Sequence, residues 1–237
     1  MNKIESAIAF ALEAHSGVYR TSTSIPYILH PLEAAAIASS LTSDEDVIAA
    51  AVLHDVLEDT KRPEDEIRTR FGDRVLRLVR SDTEDKRRDR PAAETWKIRK
   101  QETINYLRSA SDDEMIVIFS DKLANLRAIW NDYLTIWEEL WQRFKKPDPK
   151  EQLWYYTEIF GACARLSRCP AYWEFGRKLR EIRSHVEEYE AYQSHDPNSL
   201  YVVSTPHDDK WVFRLGVRED LMVMSEEEFQ DFIRPTH

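Results

Sequence analysis

Apolar residues recur at intervals of three and four along most of this chain, and this spacing limits the possible folds more than any other feature. Ile4, Ala7, Ile8 and Ala11 follow it near the N-terminus, and the same pattern returns in several later segments. Only 5 of the 237 residues are glycine, while good helix formers are common. We therefore predict an all-α fold of roughly eight to ten helices.

The pattern changes near the C-terminus. Stretches rich in Val, Tyr, Trp and Phe occupy Leu200–Ser204 and Lys210–Val217, with the polar Pro206–Asp209 between them. This order predicts a β-hairpin whose turn is the polar stretch. Leu221–Met224 is a candidate third strand, and Ser225 is a candidate N-cap for a last short helix.

The same change divides the chain into two parts. We predict a helical domain over residues 1–195 and a small strand and helix appendage over residues 196–237. The strands of the appendage could add to a partner's sheet or complete a homodimer. The appendage could equally be a cap on the domain, and the sequence leaves these alternatives open.

The charge balance is acidic, with 33 Lys and Arg against 43 Asp and Glu and a formal net charge of −10. Nucleic-acid binding proteins usually carry a basic excess, so we expect no nucleic-acid partner. No apolar stretch approaches the roughly 18 residues of a membrane helix or has the form of a signal peptide. Cys163 and Cys169 fit reduced thiols, and we expect a soluble, cytoplasmic protein with no membrane partner.

A dense group of polar residues follows the apolar run that begins at Val47. On a continuous helix with 100° per residue, four of them fall at about 0°, 40°, 100° and 140° and share one sector. In that order they are His54, Glu58, Asp55 and Asp59. Burying these groups without partners at the end of an apolar helix is costly. A divalent cation would remove that cost by drawing the carboxylates together.

Polar residues also lie next to or within apolar segments at two other places in the sequence. His30 stands directly before Pro31, while Asp121 and Asn125 follow the run MIVIF and face the same way on a helix. Polar residues at these three places, each on a different apolar helix, suggest one shared metal site. A set of two His and two Asp, with no thiolate, leaves Mn²⁺, Fe²⁺, Co²⁺ and Zn²⁺ open on ligand type alone.

These segments resemble the HD superfamily, whose signature is a His, then a His-Asp pair, then a distant Asp. The stretches PYILHP, VLHDVLEDT, FGDRV and DKLANLRAI are similar to the hydrolase domain of the bifunctional alarmone synthetase/hydrolases. SDTEDK followed by a basic helix is similar to the small stand-alone alarmone hydrolases. The resemblance implies a helical domain that hydrolyses the 3′-pyrophosphate of a nucleotide substrate, (p)ppGpp, to give GDP or GTP and pyrophosphate.

The resemblance also implies roles for individual residues. The metal ligands would be His30, His54, Asp55 and Asp121. Their usual ion is Mn²⁺, and other divalent transition metals are possible. Glu58 would position or deprotonate the attacking water, and Asp59 would support the metal-bound water network. Asn125 would contact the ribose, and Arg20 would lie near the guanine.

Positive side chains should hold the remaining phosphates of the nucleotide, because Arg and Lys bind phosphate oxygens. The candidates are Lys86, Arg87, Arg88, Lys97 and Lys100. For any single one of them, a place on a solvated loop or helix face is the favoured interpretation. Thr21 stands where the family usually has a second basic residue, so the recognised base stays open.

Two other functions fit the same residues. The domain could hydrolyse another nucleotide, such as NADPH or an adenine alarmone. It could also sense a nucleotide, or neutralise a partner synthetase as an antitoxin does, without catalysis. The presence of Glu58 and Asp59 beside the candidate ligands favours catalysis, because a sensor has no need of an acidic pair there.

Overall fold

The computed structural model describes residues 2–87, 89–193, 205–207, 210–215 and 220–225. These residues group into two compact units, Met1–Leu179 and Arg180–His237. The domain limits inferred from composition, 1–195 and 196–237, stay a prediction. The first unit carries every candidate site residue that the structure describes.

Ten α-helices account for most of the described residues. They are α1 (Lys3–Ala14), α2 (Leu29–Leu41), α3 (Glu45–Leu53), α4 (Val56–Asp59), α5 (Glu64–Phe71), α6 (Asp73–Asp82), α7 (Ala92–Ser109), α8 (Asp112–Ile136), α9 (Pro149–Ala162) and α10 (Pro170–Gln193). Two 3₁₀ helices, Trp137–Arg143 and Ala164–Leu166, precede α9 and α10. The predicted all-α fold is confirmed for the first unit, and none of these helices is long and apolar enough to cross a membrane.

Two buried helices form the centre of the first unit. All residues of α3 from Val47 to Leu53 are buried, and α8 buries the whole run from Met115 to Ala124. α3 packs against α1, α2, α6 and α8, while α8 also packs against α2, α6 and α9. Because both helices are surrounded, polar groups at the end of α3 and in the middle of α8 must find partners inside the protein.

Local hydrogen bonds fix where these two helices begin. At the start of α8, the amide of Ser111 donates to the Glu114 carboxylate at 2.8 Å, and the amide of Glu114 donates to Oγ of Ser111 at 3.4 Å. At the start of α3, the Asp44 carboxylate accepts from the amide of Asp46 at 2.9 Å. Both caps satisfy amides that have no partner within their own helix.

The second unit contains an antiparallel sheet. Its strands are β1 (Thr205–His207), β2 (Lys210–Leu215) and β3 (Asp220–Ser225), in the order β1-β2-β3. Pro206 and His207, predicted as part of the turn, instead pair with Trp211 and Lys210, because a hairpin needs only two connecting residues. Ser225 pairs with Lys210 as the last residue of β3, and the short helix that it was predicted to cap lies outside the described residues. The predicted strand Leu200–Ser204 lies outside the described residues.

Candidate metal centre

The polar residues that follow Leu53 were predicted to lie on one continuous helix with α3. The structure shows a break there, so that prediction was wrong. α3 ends at Leu53 and α4 begins at Val56, which leaves His54 and Asp55 as the link between them. Nδ1 of His54 donates to the carbonyl of Ala51 at 2.8 Å. In an unbroken helix the amide of Asp55 would use that carbonyl, so a side-chain hydrogen bond accounts for the break.

Four side chains from three separate parts of the chain converge at this link. Nε2 of His30 lies 3.2 Å from Nε2 of His54, 2.9 Å from Oδ1 of Asp121 and 3.4 Å from Oδ2 of Asp55. Nε2 of His54 lies 2.9 Å from Oδ2 of Asp55 and 3.3 Å from Oδ1 of Asp121. The structure thus brings all four predicted metal ligands together.

These donor atoms are spaced as the ligands of one small cation would be. Bonds of about 2.1 Å place neighbouring ligand atoms about 3.0 to 3.4 Å apart in octahedral or tetrahedral sites. The five separations run from 2.9 to 3.4 Å. His30, His54 and Asp121 form a buried group able to hold a metal ion, and Asp55 faces the same point. The residues therefore fit a divalent metal, whose identity the ligand types do not fix.

The two carboxylates favour a positive charge at this point. Burial by itself would lower the pKa of His54, but Asp55 and Asp121 raise it well above its usual value. Burial would raise the pKa of Asp55, but the His54 and His30 side chains bring it well below its ordinary range. Protons on the imidazoles and a divalent cation therefore compete for the same place.

Tyr27 belongs to this centre and was missed by the sequence analysis. Its hydroxyl donates to Oδ2 of Asp55 at 2.6 Å and to Oδ2 of Asp59 at 3.2 Å. Burial and the nearby Asp55 charge raise the pKa of Tyr27 well above its usual value, so the phenol remains a donor. The available signal was the position of Tyr27 in the segment PYILHP, three residues before His30.

Glu58 is held by the segment that follows α6. Its Oε2 accepts from the amide of Glu84 at 2.9 Å, and its Oε1 lies 3.1 Å from Nζ of Lys86. Lys86 also contacts Asp59. Burial raises the pKa of Glu58 against the opposing effects of the Glu84 amide and Lys86. A carboxylate whose pKa moves towards neutrality is suited to accept a proton.

Lys122 and Asp82 form a second buried feature that was not predicted. Nζ of Lys122 contacts Oδ2 of Asp121 and lies 2.9 Å from Oδ1 of Asp82. Both side chains are buried, and burial raises the pKa of Asp82 to about 7 against the pull of the Lys122 charge. Asp121 is thus held on one oxygen by Lys122 and on the other by Asn125, whose Nδ2 donates to Oδ1 at 2.6 Å.

Two adjoining cavities give access to the centre. The larger, of about 450 Å³, is lined by the candidate ligands His30, Asp55 and Asp121 and by Glu58 and Asp59. The smaller, of about 240 Å³, has aromatic and polar walls. Asn125 and Phe144 line both cavities. Together they offer room for a small molecule with a charged end at the centre and a ring in the smaller space.

The predicted substrate residues divide between these cavities and the outer surface. Lys86 and Lys100 line the larger cavity, while Arg20 lines the smaller one and reaches Oδ1 of Asn125 at 3.5 Å. Lys97 lines neither cavity, because its ammonium pairs with Glu151 at 2.5 Å and lies over the ring of Trp154. Arg87 pairs with Glu102, and Arg88 lies outside the described residues.

Comparisons with known proteins point in the same direction. A family model described as HD domain matches residues 7–138. The guanosine-3′,5′-bis(diphosphate) 3′-pyrophosphohydrolase of Aquifex aeolicus is 37% identical over 133 residues, which make up 54% of this chain and 18% of that protein. The corresponding enzyme MESH1 of Danio rerio is 36% identical over 123 residues, 51% of this chain and 65% of that protein. The chain therefore spans less than two thirds of either relative.

A solved structure extends the likeness over more of the chain. A crystal structure of a protein from Listeria monocytogenes EGD-e is 33% identical and superposes with a TM-score of 0.57. It covers 68% of this chain, and the match takes in 97% of the Listeria chain. The likeness to that structure therefore extends to about two thirds of this chain.

Proposed function

Because this chain belongs to the HD-domain family, we propose that it is a metal-dependent phosphohydrolase whose substrate is the alarmone (p)ppGpp. The reaction is attack of water on the phosphorus bonded to the 3′-oxygen. The bond from phosphorus to that oxygen breaks, pyrophosphate leaves, and GDP or GTP remains. The relatives from Aquifex aeolicus and Danio rerio carry the name of this activity.

One observation carries the proposal above all others. The Nε2 atoms of His30 and His54 lie 3.2 Å apart, and each lies within 3.4 Å of a carboxylate oxygen of both Asp55 and Asp121. Glu58 and Asp59 line the same cavity. A site that only binds nucleotide has no chemical need for two further carboxylates beside a divalent cation, since they repel phosphate.

The centre would be held by His30, His54, Asp55 and Asp121. We propose Mn²⁺ as the resident ion, with other divalent transition metals as alternatives. When bound, such an ion lowers the pKa of water and polarises a phosphoryl oxygen. The hydrogen bond from Nδ1 of His54 to Ala51 leaves the lone pair of Nε2 free for the ion.

The acidic pair handles the proton of the attacking water. A carboxylate oxygen of Glu58 accepts that proton, and its raised pKa brings it closer to the working pH. Asp59 accepts a hydrogen bond from Tyr27 and contacts Lys86, which fixes its orientation beside Glu58. Lys86 therefore keeps both carboxylates in place and can also meet a phosphate.

The substrate lies along the two cavities. Asn125, which bonds Asp121 and Arg20, stands where a ribose would join the phosphates to the base. The smaller cavity takes the base, with Arg20 and Phe144 among its walls. Lys86 and Lys100 in the larger cavity face the phosphates. Lys97 has no part in this arrangement, since it lines neither cavity.

The test is to incubate the purified chain with Mn²⁺ and, separately, ppGpp, pppGpp, ppApp or NADPH, and to separate the products by ion-exchange chromatography. We expect pyrophosphate and GDP from ppGpp, and none from the isosteric variant Asp121→Asn. Turnover of NADPH without turnover of ppGpp would assign the site to another nucleotide. Tight binding of ppGpp with no pyrophosphate released would overturn the catalytic role.

A further inference from the structure

The ammonium of Lys122 lies between two buried carboxylates. It contacts Oδ2 of Asp121 and lies 2.9 Å from Oδ1 of Asp82. The side chain of Asp82 is only 1% exposed, and its second oxygen, Oδ2, is buried with no hydrogen-bond partner among the described residues. Asp82 is thus a buried carboxylate with one partner. Burying such a charge costs free energy of folding unless nearby positive charges compensate it.

The charge of Asp82 can be explained from the balance of formal charges around the metal centre. Three carboxylates and one ammonium lie in this buried cluster: Asp55, Asp82, Asp121 and Lys122. With neutral imidazoles they leave two negative charges, which one divalent cation neutralises. Without Asp82 the same cluster, loaded with the cation, would keep an uncompensated positive charge in a low-dielectric interior.

The contacts of Asp121 supply the geometry. Its Oδ1 lies 2.9 Å from Nε2 of His30 and faces the convergence point, whereas its Oδ2 faces Lys122. An ammonium that has no other partner would neutralise Asp121 and weaken it as a ligand. Asp82 shares that ammonium and fixes it on the Oδ2 side, so that Oδ1, which accepts a hydrogen bond from Asn125, keeps its remaining lone pair for the cation.

We propose that Asp82 is a positioning residue that sets the affinity of the centre for its divalent cation, acting through Lys122 on Asp121. The inference rests on the proposed metal site. It assigns no contact between Asp82 and substrate. Its consequence is that Asp82 and Lys122 work as a pair of opposite sign, so changes at the two residues should shift the dissociation constant of the cation in opposite directions.

The experiment measures Mn²⁺ binding to the metal-free protein by calorimetry at about pH 8, where the three carboxylates carry charge. Asp82→Asn should raise the Kd by about 10- to 100-fold, the usual range for a residue that supports a metal ligand. Lys122→Met should lower the Kd. The double variant should return to within about threefold of the wild type, because the charge balance is restored.

The double variant separates this electrostatic role from a purely structural one. If Asp82 only supported packing, the double variant would bind Mn²⁺ as weakly as Asp82→Asn or more weakly, and the proposal would be wrong. Asp112→Asn is the matched control, because Asp112 lies on α8 with Asp121 and Lys122 but is largely exposed and pairs with Arg165. It removes the same charge outside the cluster and should leave the Kd unchanged.

Two further measurements keep the outcomes distinct. Circular dichroism of each metal-free variant checks folding; if Lys122→Met does not fold, Lys122→Arg replaces it and must keep the Kd within about threefold of the wild type. A wild-type protein that binds no divalent cation overturns the proposed function and this inference together. Binding that follows the charge pattern without hydrolysis of ppGpp overturns the function alone.

Discussion

The hydroxyl of Tyr27 donates a 2.6 Å hydrogen bond to Oδ2 of Asp55, the same oxygen that lies 2.9 Å from Nε2 of His54. A second bond from this hydroxyl reaches Asp59. One phenol therefore connects a candidate metal ligand to the acidic pair, and it limits the rotation of both carboxylates.

Replacing Tyr27 should weaken the centre without unfolding the protein. In Tyr27→Phe the ring stays packed against His15, with centroids 4.9 Å apart in the wild type, while both hydrogen bonds are lost. We expect the Kd for Mn²⁺ to rise about tenfold, the lower end for a residue that supports a ligand. Calorimetry checks this, with the exposed Tyr19 changed to Phe as a control. Equal affinities in the two variants would contradict the assigned role.

Removing the metal should lower the thermal stability of the protein. A cation that binds only the folded state and is present at about 100 times its Kd adds about 2.7 kcal/mol to the free energy of unfolding. For a chain of this length that corresponds to a rise in Tm of about 5 to 10 °C. Differential scanning fluorimetry with Mn²⁺ and with EDTA measures it. Asp121→Asn should show no such rise, while Asp112→Asn should keep it.

Glu58 should determine the acid side of the pH profile. The proposed base acts only when ionised, and burial raises its pKa above the usual 4.5. The value of kcat/KM should therefore fall with decreasing pH at a higher pH than an ordinary Glu would cause. Glu58→Gln should lower kcat by about 10² to 10⁴ and leave Mn²⁺ affinity nearly unchanged. A variant that keeps its kcat would remove Glu58 from the mechanism.

Arg74 should stabilise the starts of α3 and α8 in a pH-dependent way. It bonds Asp44 at the N-cap of α3 and Asp113 in the first turn of α8, each at 2.8 Å. Arg74 holds the pKa of Asp44 below its usual value, so this contribution is present above the unfolded pKa. It is lost as the pH falls through the lowered pKa of the folded state.

The size of the Arg74 contribution is limited by exposure, because Arg74 and Asp44 are more than a third exposed. We expect Arg74→Met to reduce the free energy of unfolding by about 1 kcal/mol or less at neutral pH. The difference from the wild type should vanish in strong acid. Urea denaturation at several pH values tests this. Arg68→Met, which removes pairs to the more exposed Asp65 and Asp73, should have a smaller effect.

The two cysteines should differ in reactivity. Cys163 is fully buried, and burial raises the pKa of its thiol to about 12, so it has almost no thiolate near neutral pH. Cys169 is partly exposed. A colorimetric thiol assay should detect one thiol in the folded protein and two in denaturant, and Cys169→Ser should remove the fast reaction. Rapid reaction of that variant would contradict the burial of Cys163.

Local patterns in the sequence were sufficient to predict most of the helices. The apolar run that begins at Val47 predicted a buried segment, and the run MIVIF predicted the buried part of α8. The polar residues that leave these segments also predicted the convergence of His30, His54 and Asp121, because buried polar groups require partners. These inferences depend on residues close together in the sequence, or on the requirement that buried polar groups have partners.

The remaining features depend on contacts between distant residues. The helix breaks after Leu53 because the His54 side chain, and not the amide of Asp55, donates to the Ala51 carbonyl. The spacing of apolar residues does not indicate which donor is used. Lys122 meets Asp82 across 40 residues of chain. Lys97 likewise contacts Glu151 and Trp154 on α9. Which way a helix directs its exposed side chains depends on the helix it packs against, and that partner is distant in sequence.

The bond from His54 to Ala51 has a consequence for how the protein acquires its cation. Because a main-chain carbonyl one turn back anchors the imidazole, folding of α3 orders the ring before any ion arrives. Capture then requires dehydration of the ion and release of protons, with little rearrangement of the chain. The metal-free protein should accordingly be a folded receptor ready for loading, unlike small zinc domains that remain random coils until their ion is supplied.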